Sequence, residues 1–237
     1  MDLEELNIKY LLLSPEDRIR ELYKDFDKVL FTSSFGTTAA YLLHLFHKVN
    51  PDETIYFLDT TYHFNETIEY KETLTRLLNL KVVDVKPEDW KNNFTQKDKT
   101  WNTDPDLCCS INKVEPIDKI KVNYDVWVSG LMSAQSAHRQ NLKVFEQKDD
   151  IIKFYPLIDQ NEAKAKDHMK ANALPQHPLL SQGYSSVGCF HCTVAGKGRS
   201  GRWVNKFWFW LCWSRFVRCI KSFARIKSNH RKDLCKR

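Results

Sequence analysis

Lys28-Val29-Leu30-Phe31-Thr32-Ser33-Ser34-Phe35-Gly36-Thr37-Thr38-Ala39-Ala40-Tyr41-Leu42-Leu43-His44-Leu45-Phe46 passes from a short apolar run, through small and hydroxylated residues, into helical character. The opening run suits a buried strand. Ser33–Thr38 then forms a strand-to-helix loop. Its hydroxyls and backbone N–H groups stand where a helix begins, and partial positive charge with open donors there suits an anion. No Gly-Lys-Ser/Thr follows, so the loop is not a Walker phosphate loop. An ordinary turn closed by a Ser/Thr cap uses the same residue types, and spacing alone does not separate the two.

Outward from this unit the pattern repeats. Thr54–Asp59 is a second apolar strand, with a helix over 65–78, and Lys81–Val85 is a third. Further strands are predicted at 125–130 and 151–155, and a polar helix over 160–173 stops before Pro175. Upstream, residues 1–27 read as helix, with Ser14-Pro15-Glu16-Asp17 carrying a helix-start signature. Strands alternating with helices predict an α/β fold, a mostly parallel sheet flanked by helices. Ligands of such sheets bind beyond the strands' carboxyl ends, which singles out loops 33–38, 59–67 and 130–139. Asp59 could accept from a ligand hydroxyl there, but capping the next helix is the simpler expectation. There is no internal repeat.

The chain has 237 residues, 42% of them hydrophobic, enough for one large domain and too apolar for a disordered chain. Met1-Asp2-Leu3-Glu4-Glu5 is acidic where a signal peptide would be basic. No run approaches the roughly 18 apolar residues of a membrane span, so a cytoplasmic protein is expected. The net charge of +6 is concentrated at one end. Residues 206–237 hold ten Lys or Arg against Asp233, a net +9, which leaves −3 for residues 1–205. A mildly acidic body does not point to nucleic acid.

Seven cysteines make a complete disulfide framework unlike this chain. Cys108-Cys109 are adjacent, and Cys189-Phe190-His191-Cys192 forms a second pair inside Gly183-Tyr184-Ser185-Ser186-Val187-Gly188-Cys189 onward. Four thiolates suit zinc or an iron–sulfur cluster. Adjacent cysteines do not make a zinc knuckle, which leans toward the cluster; four buried thiols are the plain alternative. Redox use like that of thioredoxin fits less well, because its motif follows an early strand. Lys113 lies four residues past Cys109, on the same face if the segment is helical. Arg139, Arg199 and Arg202 follow the other candidate elements. Cations gathered around thiolates and a hydroxyl loop would suit a dianion.

Together these motifs resemble the sulfonucleotide reductases, the adenylyl-sulfate and phosphoadenylyl-sulfate reductases. The resemblance runs from about Leu30 to Trp203. It rests on Ser33-Ser34-Phe35-Gly36, Leu58-Asp59-Thr60-Thr61-Tyr62-His63-Phe64, Cys108-Cys109-Ser110-Ile111-Asn112-Lys113-Val114-Glu115-Pro116, Gly130-Leu131 with Gln135-Ser136 and Arg139, Leu174-Pro175-Gln176-His177-Pro178-Leu179, the glycine-flanked Cys189 stretch and Gly201-Arg202-Trp203. It implies a Rossmann-like, adenine-nucleotide α-hydrolase-like fold. It also implies reduction of adenylyl-sulfate to sulfite and AMP with thioredoxin as reductant, in sulfate assimilation for cysteine biosynthesis. Phosphoadenylyl-sulfate is the alternative substrate.

By matching position, Ser33, Ser34, Gly36, Lys113, Gly130, Arg139, Arg199 and Arg202 would bind substrate. Cys108, Cys109, Cys189 and Cys192 would hold a [4Fe–4S] cluster. Membrane contact is not expected, and a homo-oligomer is left open.

Two departures stand out. Met132-Ser133 replaces a pair of arginines, and Trp203 is not followed by the family's Glu-Cys-Gly-Leu-His ending with its nucleophilic cysteine. The expected division is therefore a reductase domain over 1–205 and a divergent basic aromatic tail over 206–237. The tail is open to three interpretations: an altered terminus without a role, a basic aromatic segment that touches a membrane or an anionic partner, or the carrier of a displaced nucleophile, Cys212. Without a nucleophile the chain would be a relative that binds nucleotide and cluster only.

Overall fold

The computed structural model describes residues 2–203. Two helices open the chain, α1 (Leu3–Leu11) and α2 (Pro15–Asp25). The helical reading of 1–27 takes the form of two helices, the second beginning at the expected start: Ser14 accepts the Asp17 N–H and Pro15, which has no N–H to donate, opens the helix. Then follow β1 (Val29–Thr32), α3 (Ala39–Val49), β2 (Thr54–Leu58), α4 (Asn65–Leu77), β3 (Lys81–Val85) and α5 (Asp89–Lys97). Next come α6 (Thr100–Thr103), α7 (Pro105–Cys109), a π-helical turn at Ser110–Val114, and α8 (Glu115–Lys121). The last elements are β4 (Val126–Val128), β5 (Phe145–Lys148), β6 (Ile151–Phe154) and α9 (Glu162–Ala171).

The strands form one six-stranded sheet in the order β3-β2-β1-β4-β6-β5. All neighbouring pairs are parallel except β5–β6, an antiparallel hairpin at the edge. β5 was not foreseen. Phe145-Glu146-Gln147-Lys148 has one buried side chain and two exposed ones, as a charged edge strand does. The helices between 89 and 121 were not foreseen either, since their polar, short segments show little periodicity.

Sheet order reverses between β1 and β4. Loops from these two strands diverge there, which opens a crevice at their carboxyl ends. Phe31, Phe57, Val126, Val128 and Phe154 join Leu42, Leu43 and Phe46 of α3 in the main core. Phe31 stacks on Phe46 with centroids 4.1 Å apart. Arg18, fully buried, ties the N-terminal helices to the segment after β6. It donates to the carbonyls of Tyr10 and Pro156 and pairs with Asp159 at 2.8 Å. Nothing orphaned is left by burying that charge. No helix among the described residues is long and apolar enough to cross a membrane.

Candidate active site

The crevice at the β1/β4 reversal is a cleft of about 320 Å3. All eight residues expected to bind substrate line it: Ser33, Ser34, Gly36, Lys113, Gly130, Arg139, Arg199 and Arg202. The loop after β1 is tied down by Ser33, whose N–H donates to the Tyr56 carbonyl and whose Oγ accepts the Phe35 N–H. Phe35 takes a positive φ of 47° and buries its ring against Phe57. That turn presents Ser34 and Gly36 to the cleft. Thr38 precedes α3 without a side-chain cap, and Thr37 Oγ1 donates across to the Ser185 carbonyl at 2.9 Å. The hydroxyls therefore do not act as the ordinary cap that the sequence also allowed.

Three guanidinium groups converge on the opposite wall. Burial, then repulsion by Arg199 and Arg202, pulls the Arg139 pKa down to about 10. Burial lowers Arg199 and Arg202 as well. Such crowding favours a multiply charged anion, which relieves the repulsion when it binds. Arg139 is held by a hydrogen bond to Gln135 Oε1, and Arg202 donates to the Val187 carbonyl at 2.6 Å and to Ser186 Oγ. Gly188 makes room for this: a Cβ there would stand 2.6 Å from Arg202 Cζ. Met132 is fully buried in the main core, so the residue that replaces an arginine does not face the cleft.

Asp59 does not cap α4. Phe64 occupies that position, while Asp59 Oδ1 accepts the Thr61 N–H in a local turn. The turn brings His63 to the cleft. His63 Nε2 donates to the Leu58 carbonyl at 2.8 Å, and burial lowers the ring's pKa. Nothing in the spacing flagged this histidine.

A second, small cavity of about 10 Å3 adjoins the cleft, and all four cysteines at 108, 109, 189 and 192 line it. Asp104 caps α7 through the Leu107 N–H, and Pro105 opens the helix that carries the first pair. The π turn then widens the coil, so Cys109 and Lys113 both reach the cavity although the segment is not a regular α-helix. Asn112 in that turn donates to the Cys108 carbonyl at 2.9 Å and accepts from Asn92 at 2.7 Å.

The second pair is clipped in place by backbone. His63 bridges Cys189, and the Phe190 N–H donates to the Tyr62 carbonyl. His191 stacks flat on Trp101 at 3.8 Å, with Tyr62 edge-on to both rings. Burial raises the Cys108 thiol and lifts Cys192 to about 11, with the neighbouring sulfurs adding to both. Lys113 and Cys189 line both cavities and so join the sulfur cluster to the cleft. Among the described residues no group of three or more His, Cys, Asp or Glu stands in a metal-holding arrangement. Cys212 lies outside the described residues.

Comparison with known proteins matches residues 28–195 to the phosphoadenosine phosphosulfate reductase domain. A relative in Chelativorans sp., named adenosine 5′-phosphosulfate reductase, is 38% identical over 212 residues, 85% of this chain and 86% of its own. One of the same name from Bacillus cereus is 34% identical over 194 residues, 78% of this chain and 83% of its own. Among solved structures, phosphoadenylyl-sulfate reductase from Candida auris superposes with a TM-score of 0.71 at 28% identity, over 81% of this chain and 95% of that one. FMN adenylyltransferase of Candida glabrata shares the fold alone, at TM-score 0.55 and 14% identity. A switch-point cleft rich in cations, sulfurs beside it and these matches converge: the chain belongs to the phosphoadenosine phosphosulfate reductase domain family, the sulfonucleotide reductases.

Proposed function

We propose that this chain reduces adenylyl-sulfate to sulfite and AMP, with thioredoxin as the reductant, in sulfate assimilation for cysteine biosynthesis. The observation that carries the proposal is one cleft in which Lys113, Arg139, Arg199 and Arg202 face the hydroxyl loop Ser33–Thr38, with four thiols adjoining. Its curated relatives at 34% and 38% identity bear the adenylyl-sulfate name. Phosphoadenylyl-sulfate is the alternative, after the name of the Candida auris structure.

The cations neutralise the phosphosulfate, whose oxygens otherwise repel an approaching thiolate. A thiolate attacks the sulfate sulfur, an S–S bond forms, and the S–O bond breaks with its electron pair leaving on the AMP phosphate. The resulting S-sulfocysteine gives up sulfite when two thioredoxin thiols become a disulfide. Ser33, Ser34, Gly36 and Gly130 supply hydroxyls and close backbone approach for the nucleotide. Cys212 is the candidate for the attacking thiol, with Arg215 and Arg218 as sequence neighbours that would lower its pKa.

Cys108, Cys109, Cys189 and Cys192 are the residues that would hold a [4Fe–4S] cluster. Four thiols on one cavity are the donor set it requires. When bound, the cluster would supply a charged, polarising centre beside Lys113. An odd number of cysteines, seven, fits a reducing compartment, the cytoplasm, better than a disulfide framework.

Single turnover of the anaerobically purified full chain with radiolabelled adenylyl-sulfate tests the proposal. Labelled protein that releases sulfite on adding thioredoxin is the expected result. No labelled adduct, or an adduct that persists in Cys212→Ser, removes Cys212 from the mechanism. Binding of AMP without any adduct would leave a nucleotide-binding relative. Iron and zinc analysis of the same preparation separates a cluster from a zinc site.

A further inference from the structure

We infer that Glu162 sets which sulfonucleotide the cleft accepts: its carboxylate receives the ribose hydroxyls and turns away a 3′-phosphate. This rests on the proposed sulfonucleotide chemistry and narrows its substrate.

Glu162 begins α9, where Asn161 caps the helix by accepting the Lys164 N–H at 2.9 Å. Among the described residues it is the one carboxylate that lines the cleft, which four cations also line. A carboxylate in a site for a dianion works against binding unless the ligand brings donors to it. The phosphosulfate offers acceptors only. The donors of an adenine nucleotide are its ribose hydroxyls and its exocyclic amine.

The lining separates these by chemistry. Phe31, Ala39, Leu42 and Leu131 form the apolar part that suits a base, and the cations suit the phosphosulfate. The ribose lies between the two ends of any mononucleotide. Of the polar lining, Thr37, Thr38, Ser185 and Glu162 also border a second recess, and this stretch is the one assigned to the ribose.

A recess of about 30 Å3 leads off this wall, lined by the same four residues and by Lys166 and Gln176. Lys166, one helical turn beyond Glu162, is exposed whereas Glu162 is half-buried, so solvent screens the lysine more than the carboxylate. A 3′-phosphate entering there meets that carboxylate, where an unphosphorylated hydroxyl meets an acceptor. The side chain would thus discriminate mainly by repulsion.

Titration calorimetry of the full chain with AMP and with adenosine 3′,5′-bisphosphate reads this without turnover or reductant. Wild type is expected to bind AMP at least about tenfold more tightly than the bisphosphate. Glu162→Gln is expected to narrow that ratio by roughly tenfold, and Lys166→Glu to widen it, since it adds charge of the repelling sign to the same recess. Ratios unchanged in both variants overturn the role of Glu162 while AMP binding stands. IMP, which lacks the amine, is expected to lose as much affinity as AMP in Glu162→Gln. Loss for AMP alone would place the carboxylate on the base and overturn the inference. Failure of wild type to bind either nucleotide sinks the sulfonucleotide proposal itself.

Discussion

Arg139 and Gly188 show how single residues shape the anion wall. Arg139 is half-buried and already discouraged from carrying its charge by two neighbouring guanidiniums. Arg139→Met should therefore relieve repulsion in the empty cleft yet weaken AMP binding by about ten- to a hundredfold, the worth of a charge-assisted hydrogen bond. Calorimetry at two salt concentrations checks this, and the variant should also show the shallower salt dependence. Gly188→Ala pushes a methyl group against the Arg202 guanidinium. That group ends a flexible side chain, so the fold should survive while AMP affinity falls by roughly tenfold through misplacement. A variant that binds AMP like wild type would show that Arg202 can reach the ligand by another path. The types and order of the cations were legible in the sequence. Their convergence was implied by the family resemblance and not by spacing, since Lys113, Arg139 and Arg202 come from three separate segments.

At the scale of elements, the π turn at Ser110–Val114 matters most, because it joins the first cysteine pair to Lys113. Asn112 holds the turn through the Cys108 carbonyl, Thr95 and Asn92. Asn112→Ala leaves these buried partners unmatched and should cost on the order of 2 kcal/mol in urea unfolding. Its thiols at 108 and 109 should also react faster with an alkylating reagent than those of wild type. Equal alkylation rates would mean the turn is held by something else. The strands β1, β2, β3, β4 and β6 were foreseen within a residue or two, from apolar runs in the inner strands and from the β-branched Val82, Val83 and Val85 in the exposed edge strand β3. β5 and the helices from 89 to 121 were not, since polar short elements are set by what they pack against.

For the molecule as a whole, acid should be the weak side. His177 is buried between α4 and the segment that leads to the second cysteine pair, where it contacts Thr67 and takes the Leu179 N–H on Nδ1. Burial lowers its pKa from 6.5 to about 4. An unfolded imidazole takes up a proton near 6.5 and the folded one only near 4, so unfolding binds a proton between those values. Stability from this group is complete above about pH 6.5 and falls toward pH 4, by on the order of 3 kcal/mol. Urea midpoints at pH 7.5 and 4.5 measure the fall, and His177→Gln should make it shallower; an unaltered slope would assign the acid sensitivity elsewhere.

The sequence by itself determined the parallel α/β layering, the thiol inventory and the hydroxyl loop before α3, because apolar periodicity and residue chemistry are local properties. Only the tertiary structure decided that the order of strands reverses between β1 and β4, that one small cavity brings Cys108-Cys109 to Cys189 and Cys192 across about 80 residues, as the resemblance implied but spacing could not show, and that Glu162 lines the same cleft as the cations. Those are distances between remote segments, fixed by how sheet and helices bury their apolar faces against each other.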